Sequence, residues 1–410
     1  MSEGQWLTKK QTKTFEELLM NLGLENYSIQ FSPGVEKGEN FGGIIIKAEV
    51  TENSKVRESV SNFIIKCSPP SKVLHSMIPL QDEFEIETYM YSTVFPEFTK
   101  IQNEKNFPKV FKPFPDFFKS LNEEYEEMII MQNVKLLGYE HKNCKVPLKY
   151  NQVLLTVKQY AKIHALSYAI RDQKPKLFEE FERNTRNHFF KDFNVGGIKM
   201  VATHRILNAL KALDPITDCL FYDKFSYFAE NMITILTNLI SSHNRYQVVS
   251  HIDCGIQNLL FKTEQSPNSF HDVFVLDWQF TRMASPAVDL VTFILSAGDA
   301  ETLSNFNELV LEYYKSLCSF LNELGTDPEK LLPFTVLQEE LKTFGIVGLE
   351  MAILLIYVYS TVDQTPPDVL NDDAHSDGFA FVYDLKDSTK FDARVRDAIS
   401  TFYNLGFNFR

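Results

Sequence analysis

Cysteine is scarce in this chain. The five cysteines among 410 residues, Cys67, Cys144, Cys219, Cys254 and Cys318, are odd in number and widely scattered. That pattern excludes a disulfide framework and points to a reducing compartment. Basic charge is also in short supply: 41 Lys and Arg stand against 54 Asp and Glu, a formal net charge of -13. A protein that lives on phosphate backbones concentrates Lys and Arg, so no nucleic-acid partner is expected, although a nucleotide can still be held locally. Long apolar runs are missing as well. The most apolar stretch, IVGLEMAILLIYVY from Ile346 to Tyr359, contains Glu350 and is shorter than a bilayer span. It reads as a buried core helix, with no membrane insertion. The opening MSEGQWLTKKQTKTFEELL is charged and polar where a secretory signal needs an apolar stretch, so the expected location is cytoplasmic.

Several catalytic signatures are absent too. No G-x-S-x-G elbow occurs, and Ser250 beside His251 does not replace it. Gly42 and Gly43 in GENFGGIIIK would let a strand-turn-strand approach phosphates through backbone amides, but they match neither the Walker pattern nor a complete G-x-G-x-x-G. His251 with Cys254, and His141 with Cys144, form H-x-x-C pairs that lack the second half of a zinc site. There is no internal repeat and no low-complexity tract.

What remains is an ordinary globular composition, 44% hydrophobic and 23% charged, in a chain long enough for two lobes and a sizeable buried site. After a helical opening around Thr14 to Leu22, strand patterns follow at Tyr27 to Ser32, Gly42 to Val50 and Asn62 to Cys67. Gln81 to Val94 reads as a helix with Phe84, Thr88 and Tyr91 on one face, and Glu126 to Val134 returns to strand. From about Leu148 the pattern is mostly helical, apart from the strand-like stretch Val248 to Phe280. The expected architecture is α+β, with a small antiparallel sheet lobe over residues 1–133 and a larger, mainly helical lobe over 134–410.

Inside the strand-like stretch, VVSHIDCGIQNLLF places His251, Asp253 and Asn258 on a polar loop between two apolar runs. Taken alone, the loop reads equally well as a turn whose Asp and Asn bond their own backbone. A second feature favours chemistry. If Leu259 to Thr263 and Val273 to Leu276 pair as a hairpin closed by the turn segment EQSPNSFHD, Asp277 returns beside Asn258. One carboxylate and one amide carbonyl then suit a hard cation such as Mg²⁺ that is completed by nucleotide phosphates. Asp253 would face the ion from the other side and accept a hydroxyl proton. The same logic asks for a paired cation on the sheet lobe. Lys66 lies in the otherwise apolar strand NFIIKC, where its charge is costly unless matched, and Glu87 lies on the helix that follows. A surface Lys on an edge strand is the simpler alternative. His251 is expected to fix the loop through a backbone bond, and His164 to pack against it.

The order of strand Lys, helix Glu, H-x-D-x-x-x-x-N and a strand ending in Asp resembles the small-molecule branch of the protein-kinase-like fold, near the aminoglycoside and choline phosphotransferases. HIDCGIQNLLF, VFVLDWQF, SPAVDLVTFIL, KIHALSYA and GYEH are similar to the insect ecdysteroid kinase-like, or CHK domain, family over nearly the whole chain. That resemblance implies ATP and Mg²⁺ as cofactors and transfer of the γ-phosphoryl group to a hydroxyl of a small hydrophobic acceptor, an ecdysteroid first. It also implies Asp253 as base, Asn258 and Asp277 as magnesium ligands, Lys66 on the α/β-phosphates with Glu87 orienting it, and Asp289 as a buttress of the loop. The helical region Phe189 to Tyr246 and the Ile346 to Tyr359 helix would wall the acceptor.

Three positions depart from the family pattern: Ile252 stands where Gly is usual, Gln132-Asn133-Val134 replaces an acidic pair, and Trp278 replaces the commoner Phe. Adenine contacts at Gln132 and Asn133 would then rest on backbone. A choline-like, aminoglycoside-like or xenobiotic alcohol is the alternative acceptor. A kinase-shaped binding protein without turnover is the alternative from another class.

Overall fold

The computed structural model describes residues 6–34, 43–53, 58–185, 196–242, 244–263, 270–361 and 385–410. Gly42, most of the expected turn segment after Thr263, and residues 189–195 of the expected acceptor wall lie outside them.

Helix α1 (Lys9–Asn21) starts at Thr8, whose hydroxyl accepts the Gln11 N–H at 3.2 Å while the Gln11 side chain accepts the Thr8 N–H at 3.0 Å. That reciprocal cap satisfies two otherwise orphaned donors. Phe15, Leu18 and Leu19 then bury one face of α1 on the sheet below. The sheet is antiparallel and five-stranded, in the order β1 (Tyr27–Pro33), β2 (Ile44–Asn53), β3 (Glu58–Cys67), β5 (Met128–Gln132), β4 (Phe117–Leu121). Strand β3 therefore lies in the middle of the sheet, which removes the edge-strand reading of Lys66. Alternation does the rest. Phe63, Ile65 and Cys67 face the α1 side, while Ile64 and Lys66 face the other.

On that other face lie α2 (Lys72–Met77) and α3 (Leu80–Tyr89), a single π-helical turn (Met90–Val94), and α4 (Phe95–Glu104). The expected helix from Gln81 to Val94 is thus interrupted rather than uniform. Pro96 follows closely: it has no N–H for the Ser92 carbonyl and its ring would crowd that carbonyl in a regular helix. A wider turn, in which Phe95 N–H reaches back to Met90 O, relieves the conflict.

The second lobe is helical: α5 (Tyr150–Gln173), α6 (Pro175–Asn184), α7 (Gly196–Lys211), α8 (Cys219–Ser241), α9 (Pro286–Ala297), α10 (Ala300–Ser304), α11 (Phe306–Glu323), α12 (Pro328–Leu331), α13 (Phe334–Thr361) and α14 (Thr389–Asn404). The apolar run at Ile346 belongs to the 28-residue helix α13. Its composition and length would suffice to cross a bilayer, but 72% of its most apolar window is buried inside the protein, against α9 and α14. Gly348 permits the close approach, since a Cβ there would meet Val291 Cβ at 2.7 Å and Val288 O at 2.9 Å.

Two small sheets interrupt the helices. β6 (Tyr139–His141), β8 (Leu259–Thr263) and β9 (Phe270–Val275) form one, and β7 (Val248–Ser250) pairs with β10 (Arg282–Ala284) in the other. β9 begins three residues earlier than the sequence reading placed it, and Leu259 pairs with Val275. The hairpin therefore does return residue 277 to residue 258, and Leu276 N–H bonds Asn258 O at 2.9 Å.

Candidate active site

The site forms where β3 and α3 of the sheet lobe meet the loop after β7 and the turn after β9. Lys66 is 3% exposed, and its ammonium touches three acceptors: Glu87 Oε2 at 2.6 Å, Asp277 Oδ1 at 2.5 Å and Gln279 Oε1 at 2.9 Å. Burial works against its charge, but Asp277 and Glu87 outweigh that and raise its pKa, so Lys66 stays protonated. Glu87 is pushed upward by burial and pulled back by Lys66 and by the Trp278 N–H, which reaches Glu87 Oε1 at 3.3 Å. A 2.6 Å contact to an ammonium keeps it a carboxylate. Glu87 thus joins β3 to the turn after β9 through its two oxygens.

Asp277 sits at φ 64. Trp278 behind it is fully buried, with its indole N–H on Val275 O at 3.0 Å and its ring edge-on to His251 at 4.5 Å and to Phe95 at 5.0 Å. Gly43 closes the other side: a Cβ there would lie 3.0 Å from Cys67 O and 3.5 Å from Lys66 Cγ. A side chain at Gly43 would press on the Cys67 carbonyl, while the Lys66 stem lies in ordinary contact range.

In the loop, the Asn258 amide nitrogen donates to Asp253 O and to Asp253 Oδ2, each at 2.9 Å. Its carbonyl oxygen is the atom left to face a cation. The Asp253 carboxyl keeps a part-exposed edge while protein surrounds the rest. Burial first, then Asp277, raise its pKa to about 7, with Asn258 and Lys66 opposing. Behind the loop, His251 Nε2 donates to Leu276 O at 2.8 Å, and burial lowers its pKa so that the ring is neutral. Asp289 accepts His251 N–H at 2.8 Å and Ile252 N–H at 2.9 Å, and its Oδ2 meets His164 Nε2 at 3.1 Å. Burial alone would raise the Asp289 carboxyl, but His164 and these amides hold it below the usual range. Among the described residues no three His, Cys, Asp or Glu side chains converge as a metal cluster.

The structure therefore brings together Lys66, Glu87, Asp253, Asn258 and Asp277, sets Gly43 against Lys66, and places His251 and Asp289 behind the loop. Gln132 and Asn133 are spent locally: Gln132 Oε1 accepts Asp116 N–H at 3.3 Å, and Asn133 Oδ1 caps Lys135 N–H at 3.2 Å. Sequence reading missed Gln279, which completes the Lys66 cage, and Tyr359, whose hydroxyl accepts Ile256 N–H at 2.7 Å from α13. It also missed Glu83. This carboxyl is one helical turn before Glu87, 2% exposed, with one oxygen lacking a hydrogen bond, and burial raises its pKa to about 8. The spacing to Glu87 was a signal for Glu83; Gln279 and Tyr359 carried none.

Residues 37–326 match the ecdysteroid kinase-like family. No curated protein matches the sequence significantly. Among solved structures, a Plasmodium vivax ethanolamine kinase is similar at 14% identity and a TM-score of 0.42, with 91% of this chain and 81% of that one covered. Because the family match takes in well over half of the chain, this protein belongs to the ecdysteroid kinase-like family and is a small-molecule kinase.

Proposed function

We propose that the protein transfers the γ-phosphoryl group of ATP, with Mg²⁺, to a hydroxyl of a small hydrophobic acceptor, an ecdysteroid first. The observation that carries this reading is the convergence of a caged lysine and a base-bearing loop. Lys66, Glu87 and Asp277 meet within 2.6 Å contacts, and Asn258 is bonded to Asp253. The donor set fits the cation: a carboxylate at Asp277 and the spare carbonyl oxygen of Asn258 are hard oxygens, and phosphates and water would complete the shell. Magnesium, when bound, supplies charge neutralisation across the transferred phosphoryl group.

The residues of the chain do the rest. Lys66 leaves Asp277 to hold phosphate oxygens, and Glu87 keeps the ammonium directed inward. Asp253, near pH 7 in its titration, takes the acceptor proton on its carboxylate. Asn258 holds that carboxylate from one side. Residues 1–133 act as the nucleotide-binding lobe and 134–410 as the catalytic and acceptor-binding lobe. The adenine edge meets backbone near Gln132 and Asn133, whose side chains are occupied. None of the five cysteines forms a disulfide, which supports a cytoplasmic setting. Family membership supports the ecdysteroid over a choline-like or xenobiotic alcohol.

The test is transfer of labelled γ-phosphate from ATP with Mg²⁺ to a panel of ecdysteroids, choline, aminoglycosides and plant alcohols, with Asp253→Asn as blank. Transfer to a steroid that vanishes in the blank is expected. Magnesium-dependent ATP binding with no transfer to any acceptor would favour a binding protein of kinase shape instead.

A further inference from the structure

The loop from His251 to Asn258 is held partly by its own bonds and partly from outside. The N–H groups of Asp253, Gly255 and Asn258 bond within it, to His251 O, Asp253 O and Gly255 O at 2.9, 2.8 and 3.1 Å. The N–H groups of His251, Ile252 and Ile256 reach outside, the first two to Asp289 and the third to the Tyr359 hydroxyl. The loop is thus gripped at its start from α9 and near its end from the last turn of α13.

Tyr359 is itself fixed. It is 3% exposed, and the Arg394 guanidinium of α14 lies 5.3 Å from its ring centre. Arg394 in turn donates to Ser296 O at the end of α9. Burial, with the Asp253 charge adding to it, holds the phenol far above its ordinary pKa, so the oxygen that meets Ile256 N–H is that of a neutral hydroxyl. Ile256 is also buried, and a buried N–H is costly to leave unpaired.

We propose that Tyr359 is a positioning residue for phosphoryl transfer: its hydroxyl pins Ile256, and through it sets Asn258 against the Asp253 carboxylate. The inference rests on the kinase reading above and adds to it a contact from the far end of the chain. Ile256 stands between the two residues whose amide and carboxylate bond at 2.9 Å. A shift of its backbone moves Asn258 first and the Asp253 carboxylate with it. Lys66 and Glu87 themselves sit on the other lobe and keep their 2.6 Å contact.

The experiment uses the full-length protein with Tyr359→Phe, which keeps the ring and its packing on Arg394. Amide exchange of Ile256, read without nucleotide or acceptor, is expected to accelerate by at least about tenfold, the loss of one buried hydrogen bond. Turnover is expected to fall by about tenfold, with KM for ATP within about twofold, because small misplacement of reacting groups is amplified in rate. Unchanged exchange at Ile256 would overturn the contact whatever the activity. Faster exchange with unchanged turnover would overturn the positioning role. A fall in ATP affinity equal to the fall in turnover would also overturn it, since that marks general loosening. If Tyr359→Phe does not fold, Arg394→Met, which frees the ring while keeping its aliphatic packing, is expected to speed Ile256 exchange and lower turnover together, and a change in one without the other would overturn the positioning role. An inactive wild type would sink the kinase reading separately, and the exchange measurement would still judge the contact.

Discussion

Ile252 N–H donates to Asp289 Oδ1 at 2.9 Å, and at that bond the chain stands at φ 71. A β-branched residue resists this left-handed backbone, at a cost of about 1–2 kcal/mol. Here Asp289 grips two consecutive amides and the Ile252 side chain is 1% exposed, so packing and hydrogen bonding hold the strained geometry. The conformation that a glycine would adopt freely is thus kept by an isoleucine.

Ile252→Gly is therefore expected to leave turnover within about threefold while lowering stability by about 1–3 kcal/mol, the lost burial exceeding the relieved strain. Paired rate assays and denaturant titrations check this. A large gain in turnover would show that Ile252 restrains the chemistry.

Asp253→Asn should lower turnover by at least about two orders of magnitude and leave nucleotide binding near normal. In the wild type the ionised form is the active one, so turnover should rise with pH through about 7 and level off above it, the cation drawing the midpoint lower when bound. A rate profile over pH 5 to 9 that is flat on its acid side would remove Asp253 as the base.

Asp277→Ala should abolish the magnesium dependence of ATP binding, because it removes the carboxylate ligand and frees Lys66 from one of its partners. Calorimetric titration with ATP, with and without Mg²⁺, reads this. Identical curves for variant and wild type would exclude the ligand role.

Glu83→Gln should stabilise the protein increasingly as pH rises. The folded carboxyl titrates near 8 instead of 4.5, so the folded state holds a proton that the unfolded chain gives up. Stability from that proton is complete below the ordinary value and is lost as pH climbs toward 8. The amide cannot ionise and escapes the loss, a gain on the order of a few kcal/mol. Thermal melts at pH 5 and pH 8 should show a variant advantage only at the higher pH. Equal shifts at both would mean that the Glu83 carboxyl titrates alike in the folded and unfolded chain and would remove its raised pKa.

The parts of this molecule that could be read from its sequence are those where a residue contradicts its surroundings. Lys66 in an apolar strand demanded a counter-charge, and strand alternation supplied the face on which it would find one. Asp277 and Asn258 came together because a hairpin forces its two ends to meet. The β6 strand, three residues long, has too little pattern to be read, and it exists because β8 offers it an edge. Gln279 and Tyr359 carry no local anomaly, and their roles arise only when elements far apart in the chain pack together. Glu83 differs from them: its spacing to Glu87 hinted at it, but an acid on an amphipathic helix ordinarily faces water, and this one is 2% exposed. A β-branched residue where Gly is usual argues against a left-handed backbone from sequence alone, whereas tertiary contacts impose that conformation on Ile252.

The π turn at Met90–Val94 holds one more residue than an α-helical turn would. Deleting a single residue there would force a regular turn onto Pro96, which has no N–H to give and would crowd the carbonyl one turn before it. It would also swing everything beyond it by about 100°. Glu87 would still face Lys66, but Phe95 would leave Trp278 and Phe114, against which it now packs at 5.0 and 3.8 Å. The helix works as a gear with one extra tooth, which sets the phase between a half that serves the lysine and a half that docks the second lobe. Shortening it by one residue would uncouple the lobes without touching a single residue of the site.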